Sequence, residues 1–322
     1  MDFPSEETLP PDTDHRQEQK IRAALDSDSI DQNSLRQHAW NGLPSKNRAV
    51  VWKFLLGYLS PSRQNRQILL AQKRSQYAAI KTKTHTEEAL KTEENTKTAR
   101  QIDADLPRIQ SSAAFFKTKF ACETLRNILL CLAHHRPSIG YIQGMAEIAC
   151  PLLYVFSRDA FSKTPDEKAV ADVEADCFWC FLSVVDSIQK NFTQTHAGIA
   201  EHTDKIEKIV GKIDPELLRH LQRENVLFIH FCFRWISCLL VREIPLECII
   251  RMWDTYTAEG RRAFSVFHVY VCCVFLMRWR EELLQMSFPE ILVLLQNPPT
   301  EHWGEREVSL LLSEAYFLQC LF

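Results

Sequence analysis

Residues 116–137 read FKTKFACETLRNILLCLAHHRP. Phe116 and Phe120 stand four apart, and Leu125, Ile128, Leu129 and Leu132 follow at steps of three and four. That period puts them on one face of a helix running from about Phe116 to Arg136. Pro137 ends it, because proline has no N–H to continue the hydrogen-bond ladder. His134 and His135 beside Arg136 read as a helix C-terminus, where positive charge is favoured, rather than as a metal pair.

The same period extends outward from this stretch. Ser45 reads as the N-cap of a helix carrying Val51, Trp52, Phe54, Leu55 and Leu56, stopped by Gly57. Further helices are predicted over 145–157, 172–191, 199–211, 214–223, 226–241, 245–256, 264–285, 288–295 and 305–320. No strand-like alternation appears. The chain has 8 glycines in 322 residues, far below the usual ~7%, which disfavours folds that spend glycine on turns and phosphate loops. The expected fold class is all-α.

Residues 1–35 are rich in Asp, Glu, Ser, Gln and Pro and read as a polar, mobile N-terminal arm, with at most a short helix near Ile21–Leu25. A domain is expected over 36–322, with an exposed polar connector at about 81–100. Lys+Arg 38 against Asp+Glu 41 gives a net charge of −3, which argues against nucleic acid as a partner. The longest apolar stretch, Val226–Val241, contains His230, Arg234 and Ser237 and suits a core helix better than a membrane span. The 11 cysteines are odd in number and mostly sit in apolar runs. With no signal peptide ahead of them, they read as reduced thiols of a cytoplasmic protein. Cys320 is third from the end, so no prenylation motif is present.

Common enzyme signatures are missing. Ile206 stands where a P-loop ending at Gly211-Lys212 would need glycine, and neither Gly-x-Ser-x-Gly nor His-Glu-x-x-His occurs. Cys177 and Cys180 form a lone C-x-x-C within an apolar face, which reads as core packing. No metal site is expected.

Three segments stand out together: Arg48 with Trp52 and Lys53, then Ile102, Asp105 and Arg108, then Tyr141, Gln143 and Gly144. Taken singly they are an amphipathic helix, a local Asp105–Arg108 ion pair ahead of a helix, and a turn feeding a helix. In this order they carry the Arg-x-x-x-Trp-Lys, Ile-x-x-Asp-x-x-Arg and Tyr-x-Gln-Gly motifs, and the chain resembles the TBC domain of Rab GTPase-activating proteins. The likeness continues through Asp176–Cys180, Phe233–Trp235, Arg251–Tyr256 and Leu295–Trp303, and is strongest to the Golgi-type branch. It covers roughly 36–320. The chain departs from the family in having Ile109 where Thr is common, and Ala146 and Glu147 where Asn or Ser and then Asp are common.

The resemblance implies a multi-helix domain with an open groove, acting on a GTP-bound Rab in vesicle trafficking. Arg108 is then an arginine finger and Gln143 a glutamine finger, both supplied in trans. Asp105 would orient the Arg108 guanidinium or its loop, and Tyr141 and Gly144 would shape the Gln143 loop. Arg48, Trp52 and Lys53 are supporting residues; Trp52 and Trp253 are expected in the core. GTP and Mg²⁺ belong to the Rab, so no cofactor of its own is expected. Recruitment would be peripheral, at Golgi or other endomembranes. The alternative is a catalytically silent scaffold that binds a Rab or a Golgi adaptor. A helix of about 21 residues spans roughly 30 Å, and the extended segments 109–115 and 137–142 each reach about 20 Å, so Arg108 and Gln143 can meet at one end of it.

Overall fold

The computed structural model describes residues 11–86, 92–109, 113–161, 166–193 and 195–322. Among these residues all regular structure is helical, apart from an isolated bridge between Ser29 and Ser62. The chain divides into two compact units, Met1–Asp186 with Trp253–Arg261, and Ser187–Met252 with Arg262–Phe322.

The first unit contains α1 (Pro11–Leu25), α2 (Gln32–Ala39), α3 (Ser45–Leu55), α4 (Arg63–Thr84), α5 (Glu93–Asp105), α6 (Lys119–His135), α7 (Met145–Ala160) and α8 (Glu167–Ser187). Helix α6 packs against α4, α5 and α7, and α3 packs on α2 and α7. Leu125, Ile128, Leu129 and Leu132 are fully buried, as their spacing requires. The helix begins later than Phe116 because Thr118 caps it, its hydroxyl oxygen accepting from the Ala121 N–H at 3.3 Å. Ala114–Lys117 forms a separate 3₁₀ turn ahead of it. Helix α3, by contrast, starts one residue early, with Pro44 at the N-cap and Ser45 already helical.

The expected mobile arm takes a different form where it is described. Residues 11–35 supply α1 and the start of α2, and Ile21, Ile30 and Leu35 are buried. Three well-spaced apolar side chains anchor a segment whose average composition is polar. The Gln17 amide fastens it further, donating to the carbonyls of His38 at 2.8 Å and Gly42 at 2.6 Å. Residues 1–10 of the arm lie outside the described residues. Within the expected connector, α4 runs on to Thr84 and α5 begins after Thr92, whose hydroxyl oxygen accepts from the Asn95 N–H at 3.3 Å; residues 87–91 lie outside the described residues.

The second unit contains α9 (Ala197–Ile213), α10 (Pro215–Arg223) and α11 (Ile229–Ser237). Helix α12 (Leu246–Glu259) begins here and ends in the first unit. Then come α13 (Val266–Met277), α14 (Arg280–Leu283), α15 (Phe288–Gln296) and α16 (Glu305–Leu321). The predicted helix over 226–241 is shorter because Asn225, Leu239 and Leu240 take left-handed backbone, with φ of 57°, 53° and 58°. Helix α13 is buried along its length and packs on α16. Beside it, Trp235 meets Phe231 and Phe275, ring centroids 4.9 and 5.0 Å away. His268 lies inside this core and its Nε2 donates to the Trp235 carbonyl at 2.9 Å. Burial pulls its pKa down to about 4.

Candidate functional site

Helix α5 ends at Asp105 and runs into a 3₁₀ turn, Leu106–Arg108, that Pro107 helps to fix. Past α6 the chain reverses on the Arg136 carbonyl, which accepts from the N–H groups of Ile139 at 2.9 Å and Gly140 at 2.8 Å. Gly140 has φ of 66°, and Gly144, at the N-cap of α7, has φ of 102°. Both are left-handed conformations that cost a Cβ-bearing residue roughly 1 kcal/mol or more. The segment between them, Tyr141–Gln143, is thereby pinned at both ends.

These two turns are joined directly. The Tyr141 hydroxyl donates to Asp105 Oδ2 at 2.9 Å, with the Tyr141 ring buried beneath it. Arg108 follows Asp105 by three residues, and Gln143 follows Tyr141 by two. Both Arg108 and Gln143 are exposed. Neither side chain has a hydrogen-bond or ion-pair partner among the described residues. The local Asp105–Arg108 ion pair, one reading of this spacing, is not formed. Asp105 does not bond the guanidinium; it holds Tyr141 instead. An arginine and an amide thus stand free in solvent on either side of one buried-to-surface joint.

Arg48, Trp52 and Lys53 belong elsewhere. Arg48 Nε lies 3.0 Å from Asp254 Oδ1 and 3.1 Å from Oδ2, Trp52 Nε1 donates to Oδ1 at 2.7 Å, and the Leu43 N–H donates to Oδ2 at 2.8 Å. Asp254, on α12, is fully buried. The rings of Trp52 and Trp253 are buried and 6.0 Å apart. Lys53 turns the other way, to Asp176 on α8 at 2.7 Å. Asp176 also accepts from the Tyr58 hydroxyl at 2.7 Å and from two Arg74 nitrogens at 2.9 Å. Burial pushes the Asp176 carboxyl up, but the hydrogen bonds and charges of Arg74 and Lys53 outweigh it and hold it below the usual carboxylate range. The Arg-x-x-x-Trp-Lys helix is therefore a fastener between two buried carboxylates. Their partners lie more than a hundred residues away, so the sequence marked Asp176 and Asp254 within motifs but not as hubs.

The departures from the resemblance also find places. Ala146 and Glu147 are buried in the first turn of α7. Ile109 follows the 3₁₀ turn and lines a cavity beside it. Cys177 and Cys180 are buried on α8, and His134 and His135 close α6. The described residues hold no group of three or more His, Cys, Asp or Glu able to bind a metal. No helix among them is long and apolar enough to cross a membrane.

The fold and site define an all-helical domain that offers an arginine and a glutamine from two turns locked to each other. The chain belongs to the Rab-GTPase-TBC domain family, which matches residues 45–284. It is 38% identical over 312 residues to GTPase-activating protein gyp1 of Schizosaccharomyces pombe, covering 94% of this chain and 61% of that protein. It is 36% identical over 313 residues to TBC1 domain family member 22B of Homo sapiens, with 94% and 61% covered. The chain thus spans about three-fifths of these relatives. The crystal structure of the Ypt/Rab-GAP domain of Gyp1p superposes with a TM-score of 0.91 at 34% identity, covering 95% of this chain and 98% of that one. The TBC domain of a Chlamydomonas flagellar RabGAP shares the fold, with a TM-score of 0.65 at 16% identity.

Proposed function

We propose that this protein accelerates GTP hydrolysis on a Rab GTPase by lending Arg108 and Gln143 to the Rab's own nucleotide site. The observation that carries this is the pair of exposed side chains, without a partner among the described residues, on turns joined by Tyr141 and Asp105.

GTP hydrolysis on a small GTPase is slow for two reasons: charge developing on the phosphates is poorly neutralised, and the attacking water is poorly oriented. Arg108 answers the first. Its guanidinium is permanently charged and planar, so it can bridge phosphate oxygens as negative charge builds. Gln143 answers the second, because its amide can accept from water and donate to a phosphate oxygen at once. Asp105 and Tyr141 are positioning residues that keep the two turns in register, and Gly144 gives the backbone its reversal. Nucleotide and Mg²⁺ come with the Rab as substrate; this chain's contribution is placement and charge. The setting is vesicle trafficking, with peripheral recruitment to Golgi or other endomembranes through partners.

Single-turnover GTP hydrolysis across a panel of Rabs tests the reading. Acceleration of at least one Rab by the wild-type protein, lost in Arg108→Ala, supports it. Tight binding of a GTP-loaded Rab with no acceleration would instead show a scaffold.

A further inference from the structure

Helix α5 delivers Arg108, and its last turn is attached at three points. Ile102 is fully buried. Asp105 accepts from the Tyr141 hydroxyl. Asp103 meets Arg126 on α6, where Nε donates to Oδ1 at 2.6 Å and Nη2 donates to Oδ2 at 3.2 Å. At 3.6 residues per turn, Asp103 and Asp105 lie roughly 160° apart around the helix, with Ile102 between them. A single joint lets a helix roll about its contact. Two joints on opposite flanks, with a buried side chain between them, fix its rotation. The Leu106–Arg108 turn follows directly and itself packs on α6.

The Arg126 and Asp103 side chains are 35% and 49% exposed. An ion pair so open to water is screened and adds little to stability. Its two-pronged geometry does something else. A planar guanidinium that grips both carboxylate oxygens sets orientation as well as distance. Arg126 also stands on the helix whose C-cap carbonyl, at Arg136, accepts from the Ile139 and Gly140 N–H groups ahead of the Gln143 turn. Helix α6 is thereby tied to both turns, to one through Asp103 and to the other through Arg136.

We infer that Asp103 and Arg126 are positioning residues for Arg108, fixing the roll of α5 so that the guanidinium leaves the turn in one direction. The inference rests on the proposed function and deepens it by naming a second joint, separate from Tyr141 and Asp105, that holds the arginine in place. Neither residue need touch the Rab; both act through the backbone that carries Arg108.

The test measures single-turnover GTP hydrolysis by the Rab that responds best to wild-type protein, over a range of concentrations of Asp103→Asn, Arg126→Gln and the double variant. The maximal rate is expected to fall by about threefold or more in each single variant, since small misplacements of a catalytic group are costly. The double variant should be no worse than the more damaged single one, because all three lose the same contact. Half-saturation should stay within about twofold, and the melting temperature should hardly move. A maximal rate within threefold of wild type overturns the inference, as do additive losses in the double variant. A rise in half-saturation at unchanged maximal rate also overturns it, because the pair would then contact the Rab directly. So does a rate loss that comes with a lowered melting temperature, which would make the pair a brace of the fold. If wild-type protein accelerates no Rab, the functional reading itself fails and takes this inference with it.

Discussion

The Tyr141 hydroxyl donates to Asp105 Oδ2 at 2.9 Å, tying the turn that carries Gln143 to the turn that carries Arg108 across 36 residues of chain. If Arg108 and Gln143 act together as proposed, their spacing has to be fixed before the partner arrives, because misplacement by about 1 Å can cost about a hundredfold.

Tyr141→Phe should therefore lower the maximal rate of Rab hydrolysis by about tenfold or more, with a small effect on half-saturation. The lost hydrogen bond to a charged acceptor should cost about 1.5–3 kcal/mol of folding stability at most. Asp105→Asn should do similar damage, and the double variant should be little worse than either, because both remove one contact. Additive losses in the double-mutant cycle would contradict the shared role.

Arg108→Ala is expected to reduce stimulation by on the order of 10³–10⁵. An exposed side chain without partners contributes little to packing, so the melting temperature should hardly move. Arg108→Lys should recover little, since an ammonium cannot reproduce the planar fork.

Arg48 makes the opposite prediction. Removing it leaves the fully buried Asp254 without its cation, at a cost of about 3 kcal/mol or more. Arg48→Ala should show this as a lower urea midpoint, while whatever fraction remains folded stimulates the Rab normally. Unaltered stability with lost stimulation would move Arg48 into the site.

Legibility in the sequence differs from residue to residue. The period of Leu125, Ile128, Leu129 and Leu132 specifies the buried face of α6, whereas Arg108 and Gln143 stand out only through the three motifs of the resemblance. The joint between them was not legible. Asp105 stands three residues from Arg108 in the chain, so the local ion pair was the simplest reading, and only the fold brings Tyr141 to it. Leu239 and Leu240 likewise read as more of a core helix, because a leucine in left-handed backbone has the same side chain as one in a helix. Ile21, Ile30 and Leu35 were diluted by polar neighbours, so composition hid an anchor that three side chains suffice to make.

The second unit should carry a pH signature. His268 has a folded pKa of about 4 against an ordinary value of ~6.5. Between those values the unfolded chain binds the proton and the folded chain does not, so stability falls as pH drops from about 6.5 towards 4. The full loss is roughly 3 kcal/mol by the same linkage. Urea unfolding at pH 7, 6 and 5 should show the decline, and His268→Gln should flatten it even if it lowers stability throughout. An unchanged slope in the variant would place the titration elsewhere.

Under the proposed function this chain supplies the glutamine that orients the water. In Ras-type catalysis the GTPase's own Gln does so. The direct measurement is single-turnover hydrolysis by a cognate Rab whose own switch Gln is replaced by Ala, with wild-type protein or Gln143→Ala added. Binding of each to the Rab's GDP–aluminium fluoride complex serves as the control. The wild-type protein should still accelerate this Rab, and Gln143→Ala should bind it without accelerating it. A Gln-less Rab that binds normally yet shows no acceleration, or full activity of Gln143→Ala upon it, would rule out a glutamine supplied in trans.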